Sequence, residues 1–318
     1  MTIDSQSSHL NKTLDIVIPV YNDNPYLAET LTSIFNQQLP NSWCFQIYVV
    51  DDGSNIPVSL DIPEKNMSNV SLIRLERNSG CSVARNKGAY AGNGEVTLFL
   101  DADCSLAEVD VLALLLEQYR QGYDVCFGQI HAPQGDFWAK YQNDVAEERA
   151  SRFKGGEKSS MTTQIFMVNR QVFESVGGFD EAYHFGFEDR DLFISLLKSG
   201  ARIALEEKAL VNHNDQLSLR SVTKKLFKSG ESSSKRFIQK HPKEYKYLPY
   251  AKADVRYSTG GARILAYIAK PMLWPLVRVV SWGINKRLFP FYVAKKLVKY
   301  TSGLAYLIGT KAAQDATG

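Results

Sequence analysis

Short apolar runs alternate with amphipathic stretches along the first two thirds of the chain. Four of the runs have the length and β-branched content of buried strands, and they lie at 14–20, 45–50, 70–75 and 95–100. The amphipathic stretches between them, such as 82–91, predict helices. Strands that alternate with helices form a mostly parallel sheet with helices on both faces, so the pattern predicts an α/β protein with a Rossmann-like sheet.

The alternation continues with two more helices and three more strands. The helices are predicted at 107–121 and from 187–189 toward Lys198, and the strands are predicted near 123–130, 162–168 and 203–211. From residue 216 onward the strand-like runs stop, and helical, basic segments rich in aromatic residues follow. The chain is therefore predicted to contain an α/β domain up to residue 215 and a basic helical region at 216–318.

Charge is distributed unevenly between these two regions. The whole chain has a net charge of +3, but residues 216–318 hold 20 Lys and Arg against 4 Asp and Glu, whereas residues 1–215 hold 17 against 30. Such an asymmetry indicates an anionic partner for the C-terminal region, for example a membrane surface, a nucleic acid or an acidic polymer. A well-solvated helical surface would also account for it.

The apolar stretches of the C-terminal region help to choose among these partners. Residues 262–284 and 288–310 are interrupted by Lys, Arg and Pro, which argues against a bilayer span. Basic residues interleaved with aromatic residues and Leu fit a helix in a membrane interface at least as well as a nucleic-acid surface. We therefore expect residues 216–318 to dock on an anionic membrane rather than on nucleic acid. The alternative is a small helical core packed on the first domain.

Cysteine content and the N-terminal residues bear on the cellular compartment. The four cysteines show no CxxC spacing, so the sequence predicts neither a disulfide framework nor a zinc site, and a reducing compartment is expected. Residues 1–13 are polar, lack the apolar core of a secretory signal, and are predicted to be disordered. We expect a cytoplasmic protein that is peripheral at the inner face of the cell membrane.

Polar motifs follow the predicted strands at the end where parallel sheets bind ligands. Residues 51–54 and 77–80 follow the second and third strands, and Asp-Ala-Asp follows the fourth at 101–103. Strand alternation predicts that the carboxylates of Asp101 and Asp103 lie on the same side, where they suit Mg2+ or Mn2+. A turn explains an acidic pair equally well when the pair is considered alone.

Four of these motifs, taken in order, resemble the signature of the inverting glycosyltransferases of family 2, which have the GT-A fold. They lie at 15–22, 49–54, 78–88 and 101–103. Further along, the segments 177–180 and 186–189 resemble the acceptor and base region of the same enzymes. The order and spacing of all six motifs make the resemblance much more specific than a lone Asp-x-Asp.

The resemblance implies both an architecture and an activity. It divides the α/β domain into a nucleotide-sugar half at 14–105 and an acceptor half at 106–215. It implies transfer of a hexosyl or N-acetylhexosaminyl group from a nucleoside diphosphate sugar, expected to be a UDP-sugar, with Mn2+ or Mg2+ as cofactor. The implied acceptor is a hydroxyl of a saccharide or a lipid-linked saccharide, as in polysaccharide biosynthesis.

By the same resemblance, residues of the first half bind the donor. Pro19 and Tyr21 would line the base pocket, and Asp52 would accept a hydrogen bond from the base. Arg85 would reach the base or the diphosphate, which a guanidinium suits, and Asp101 would contact both the donor and the metal. If the motifs are left aside, the alternative interpretation is that Asp52 is a turn residue and that Arg85 is a surface residue of a helix.

The remaining predicted site residues serve the metal and the acceptor. The resemblance implies that Asp103 and His213 complete the metal site with Asp101. Asp189 matches the position of the family's general base, which takes the proton of the acceptor hydroxyl, and Glu188 would orient the acceptor. The helix dipole alone also favours acidic residues at such a helix start.

Two other classes of protein fit the sequence less well. A nucleotidyltransferase can use a similar sheet and a carboxylate-held cation, but it would have a glycine-rich phosphate loop after the first strand, where this chain has residues 21–25 without glycine. A non-catalytic sugar-nucleotide or membrane-binding module would have lost predicted ligands or the base. This sequence retains all of them.

Overall fold

The computed structural model describes residues 12–22, 25–133, 135–158, 160–214, 217–258 and 260–315. Eight strands in these ranges, β1 to β8, occupy Lys12–Val20, Trp43–Asp51, Val70–Arg74, Val96–Leu100, Cys104–Leu106, Val125–His131, Ile165–Asn169 and Ile203–His213. Twelve α-helices in the same ranges, α1 to α12, occupy Leu27–Phe35, Cys81–Ala91, Val111–Arg120, Phe137–Lys154, Arg170–Ser175, Glu188–Lys198, Leu219–Lys228, Ser234–Lys240, Pro242–Tyr247, Pro249–Lys252, Gly260–Asn285 and Phe291–Asp315.

The eight strands form one sheet in the order β3-β2-β1-β4-β7-β6-β8-β5. The first four of these are parallel to one another, and β6 is parallel to β8. By contrast, β7 is antiparallel to both of its neighbours, and β5 is antiparallel to β8. The predicted α/β class and the parallel arrangement of the first four predicted strands are therefore confirmed, whereas the rest of the sheet is mixed. The pattern of apolar residues could not show this, because it carries no information on strand direction.

Both faces of the sheet are covered, as the apolar runs predicted. Alternate residues of β1 point to opposite faces, so Ile16 packs with Leu31 and Leu115 on one face while Val17 packs with Phe99 and other residues on the opposite face. The second face is strongly aromatic, because the rings of Phe99, Phe166, Phe173, Phe179 and Phe193 contact one another there. Each fully buried apolar side chain stabilises the fold by about 1.5–3 kcal/mol.

The C-terminal helices form a further apolar cluster that includes a residue of the α/β domain. Buried residues of α11 recur at helical spacing, at Ala266, Ala269, Leu273 and Val277, and pack with residues of α7 and α12 and with Trp138 of α4. Helix α12 runs close to α7, where a Cβ added at Gly309 would lie 2.2 Å from the carbonyl oxygen of Phe227. The helical nature of this region is as predicted.

Two points concern the predicted boundaries. Lys12 and Thr13 begin β1, so the predicted disordered segment is wrong for these two residues, and its remainder lies outside the described residues. The boundary predicted at 215/216 also lies outside them. One helix of the described chain, α11, is long and apolar enough to cross a membrane as judged by length and composition alone, and 28% of its most apolar window is buried in the protein.

Candidate active site

The acidic motif after β4 forms a turn rather than a continuation of the strand. Strand β4 ends at Leu100, and the backbone N–H of Cys104 donates to the carbonyl of Asp101 at 3.0 Å. Strand alternation therefore does not apply, and the two carboxylates have different partners. Asp101 Oδ1 accepts from Arg85 Nη2 at 2.8 Å, whereas Asp103 Oδ2 lies 3.7 Å from His213 Nε2. The prediction that strand alternation sets both carboxylates on one side is thus corrected.

Asp103 and His213 lie together because β5 pairs with the end of β8. Cys104 is the cross-strand neighbour of His213, and potential ligand atoms of Asp103, Cys104 and His213 all lie within 4.8 Å of one another. The Nδ1 atom of His213 is buried and has no hydrogen-bond partner among the described residues. A carboxylate and an imidazole are ligands that suit Mn2+, whereas a thiol is a soft ligand that suits it less well. The thiol of Cys104 instead donates to Asp103 Oδ1 at 3.6 Å. Asp103 and His213 therefore fit a divalent cation.

Arg85 connects the acidic turn with the predicted base. It lies on α2, is nearly buried, and has Nη1 3.6 Å from Asp189 Oδ1. Its guanidinium carbon lies 5.3 Å from the ring centre of Phe179. Burial disfavours the charge, but Asp101 and the other nearby acidic groups raise the pKa of Arg85 above its ordinary value. Its Nε and Nη1 atoms are buried and lack hydrogen-bond partners within the described ranges, so they are unsatisfied donors of a kind that a phosphate would satisfy.

The two acidic residues predicted for catalysis open helix α6. Burial, reinforced by the charge of Asp189, raises the pKa of Glu188 to about 7, and Arg85 opposes this rise. Glu188 Oε1 accepts from the thiol of Cys81 at 3.5 Å. Burial also raises the pKa of Asp189, whose side chain keeps 40% of its surface exposed. A half-exposed carboxylate with a raised pKa is suited to accept a proton.

The start of α6 is held by the C-terminal region. Phe187, the residue before the helix, has a φ of 71°, which is unfavourable for a residue with a Cβ. Its ring stacks on Phe237 with 4.7 Å between ring centres and contacts Tyr250 edge-on at 5.5 Å. Both partners belong to the C-terminal region, so this region supports the backbone next to the predicted base.

A second contact between the regions is a buried carboxylate on α6. Asp191 accepts from Lys240 Nζ at 2.8 Å and lies 2.7 Å from His241 Nε2, and the hydroxyl of Tyr183 donates to it at 3.3 Å. Lys240 also donates to Asp180 at 2.8 Å. Sequence reasoning missed these partners, although both carboxylates stand in or next to the motifs that it singled out.

The predicted base-pocket residues lie at the ends of β1 and β2. Pro19 is half-buried in β1, and Tyr21 is exposed just beyond it. Asp52 is buried, and its two oxygens accept from the backbone N–H groups of Ser79 and Gly80 at 2.7 and 2.9 Å. This carboxylate therefore fixes the loop that leads into α2. A contact with the base, as predicted, would use the remaining acceptor capacity of the same oxygens.

A cleft of about 340 Å3 lies next to this region, between the start of α1 and the segment 56–61. Its lining includes Val20, Leu31, Ile56 and Leu60 and is mainly apolar. None of the site residues predicted from the sequence lines it.

Comparison with known proteins agrees with the fold and the order of the motifs. The family described as "Glycosyl transferase family 2" matches residues 15–177. The chain is 28% identical over 237 residues to the pre-mycofactocin glycosyltransferase of Mycobacterium tuberculosis, covering 72% of this chain and 48% of that protein. It is 27% identical over 191 residues to an undecaprenyl-phosphate 4-deoxy-4-formamido-L-arabinose transferase of Pseudomonas aeruginosa, covering 59% and 53%. The chain thus spans about half the length of these relatives.

A solved structure shares the architecture over nearly the whole chain. It is a mannosyltransferase from Pyrobaculum calidifontis in complex with GDP-Man and Mn2+, with a TM-score of 0.56 and 18% identity, and the match covers 95% of this chain and 87% of that one. At 18% sequence identity, this likeness shows that the two proteins share a fold and nothing more. The family match covers half of the chain, and the motif order predicted the same family. The chain belongs to glycosyl transferase family 2 and has the GT-A fold.

Proposed function

We propose that this protein transfers a hexosyl or N-acetylhexosaminyl group from a nucleoside diphosphate sugar to a hydroxyl of a saccharide or lipid-linked saccharide. The observation that carries the proposal is the position of Arg85, which contacts Asp101 at the donor end and lies 3.6 Å from Asp189 at the other end. Arg85 thus lies between the acidic turn and the proposed carboxylate base, where a cationic group would favour direct displacement of a diphosphate.

Residues at the donor end account for binding of the diphosphate. Asp103 and His213 would hold Mn2+ or Mg2+, which neutralises charge that develops on the leaving diphosphate. Arg85 can donate from Nε and Nη1 to the same phosphate oxygens. Pro19, Tyr21 and Asp52 would bind the base of a UDP-sugar.

Residues at the start of α6 account for activation of the acceptor. Asp189 would take the proton of the acceptor hydroxyl, and its raised pKa brings its proton affinity closer to that needed near neutral pH. Glu188 would orient the acceptor. A single displacement passes through no covalent sugar intermediate, so the anomeric configuration inverts.

The direct test is donor hydrolysis and transfer over a panel of nucleotide sugars with Mn2+ or Mg2+, and with chelator as the control. Activity is expected with one or a few UDP-sugars and only with the cation present. Product configuration is then read by NMR. Retention of configuration, or full turnover in the chelator, would contradict the proposed mechanism.

We also propose that the protein docks on the cytoplasmic face of an anionic membrane through α11. The side of this helix opposite its buried stripe exposes large apolar residues, including Ile268, Val279 and Trp282. Arg263, Lys270 and Arg278 are exposed and spaced seven and eight residues apart, which sets them along one flank of the helix. An exposed apolar face with a basic flank matches the chemistry of an anionic interface.

Vesicle flotation tests this docking. The full chain is expected to float with vesicles that contain anionic lipid, and the double variant Ile268→Glu with Val279→Glu is expected to lose most of this binding. The matched control is Met67→Glu, an exposed apolar residue of the α/β domain. Equal flotation of the α11 variant and the wild type would contradict the proposal without affecting the glycosyltransferase assignment.

A further inference from the structure

Besides Arg85, three further arginines lie in the neighbourhood of the predicted base. Arg149 and Arg152 lie one turn apart on α4, and Arg190 directly follows Asp189 on α6. Arg149 and Arg190 interact electrostatically with each other, with Arg152 and with Asp189. Two positive charges therefore lie beside one carboxylate, and the exposed Arg152 lies next to both of them.

These guanidinium groups are poorly paired compared with other arginines of the same protein. Arg170 donates to Asp15 and to two backbone carbonyls, and Arg256 donates to Asp254 and Ser234. Within the described ranges, by contrast, neither Arg149 nor Arg152 of α4 forms an ion pair with a carboxylate within 4.0 Å, and Arg190 forms only a long one. Arg190 Nη1 lies 3.9 Å from Glu157 and is a buried atom without a hydrogen-bond partner among the described residues.

Such an arrangement is electrostatically unfavourable in the absence of an anion. Burial lowers the pKa of both Arg149 and Arg190, and their positive neighbours lower it further, while Asp189 and Tyr250 oppose the change. Partly buried cations with unused donors cost folding free energy, and groups of this kind are typical of binding sites. Guanidinium groups bind phosphate oxygens in a bidentate manner, so phosphate is the ligand that they fit best.

We propose that Arg149, Arg152 and Arg190 bind a phosphate or diphosphate group that the acceptor carries near its reacting hydroxyl. This inference rests on the proposed function and specifies its acceptor. The donor diphosphate is served by Asp103, His213 and Arg85, whereas the arginine cluster adjoins Asp189, where the acceptor hydroxyl must lie.

Three probes distinguish a phosphate that is attached to a lipid from a phosphate that is not. Geranyl phosphate, geraniol and inorganic phosphate are each titrated by calorimetry into the full chain, which is first saturated with UDP and Mg2+ so that the donor end is filled. Geranyl phosphate is expected to bind and geraniol is not, which identifies a phosphate attached to a lipid. Inorganic phosphate binding as tightly as geranyl phosphate would support the same subsite for a phosphate without a lipid.

The decisive variant replaces Arg149 and Arg190 together with Gln. It is expected to weaken phosphate binding at least about 10-fold, since each charge-assisted contact of this kind contributes a factor of that order. The double Lys variant retains the charges and is expected to bind with intermediate affinity, which separates loss of binding from misfolding. Arg120→Gln, a change of an exposed arginine on α3, is the matched control.

Unchanged affinity in the Gln variant, or no binding of either phosphate probe to the wild type, would overturn the proposed subsite. UDP binding to the wild type is measured in a separate titration, before the phosphate probes are used. If the wild type bound phosphate but not UDP, the failure would lie with the proposed glycosyltransferase function rather than with the subsite.

Discussion

The raised pKa of Glu188 predicts an unusual dependence of stability on pH. Its ordinary pKa is 4.5, and burial together with the charge of Asp189 raises it to about 7 in the folded protein. The folded state therefore binds more protons than the unfolded state between these values. The stabilisation is complete below pH 4.5 and is lost as the pH rises through 7. From pH 5 to pH 8 the loss is on the order of 2–3 kcal/mol.

Replacement of Glu188 by Gln removes this titration while it preserves the shape of the side chain. The free energy of unfolding of the variant is expected to change little between pH 5 and pH 8 from this source, whereas that of the wild type falls. Urea unfolding followed by tryptophan fluorescence at four pH values measures both profiles. Glu147→Gln, on the exposed side of α4, is the control and should follow the wild type. Parallel profiles for Glu188→Gln and the wild type would refute the reasoning.

Three further predictions concern single side chains. Asp103→Ala is expected to abolish cation-dependent donor hydrolysis with an unchanged melting temperature, and activity at wild-type level would contradict its role in holding the cation. Asp189→Asn should lower kcat by about 100- to 10,000-fold with an unchanged Kd for the donor, and a normal kcat would remove it as the base. Asp191→Asn should lower the free energy of unfolding by about 2 kcal/mol, because Lys240 and His241 lose a buried anionic partner. Chemical unfolding measures this loss, and an unchanged value would show that the contact is unimportant.

Local features were predictable because they depend on neighbouring residues in sequence. The apolar runs located the four parallel strands, and the motif after β4 located Asp101 and Asp103. The different partners of these two carboxylates were not predictable, since they depend on a turn and on the distant residues Arg85 and His213.

Features that depend on residues far apart in sequence could not be predicted. The apolar residues of helix α4 do not form a clear stripe along one side, and therefore its sequence gives only a weak helical signal. The contact between Lys240 and Asp191 joins residues 49 positions apart. Strand β5 has only three residues, and only its pairing with β8 defines it.

The position of Arg85 between two carboxylates links events at the two ends of the site. A diphosphate that draws this guanidinium toward itself withdraws a positive charge from Asp189, which lies 3.6 Å away. Asp189 would then hold a proton more tightly, so donor binding would strengthen the proposed base. Because such linkage is reciprocal, protonation of Asp189 would in turn favour the donor complex. A single side chain would thus make the affinity for the donor depend on pH in the range where Asp189 titrates.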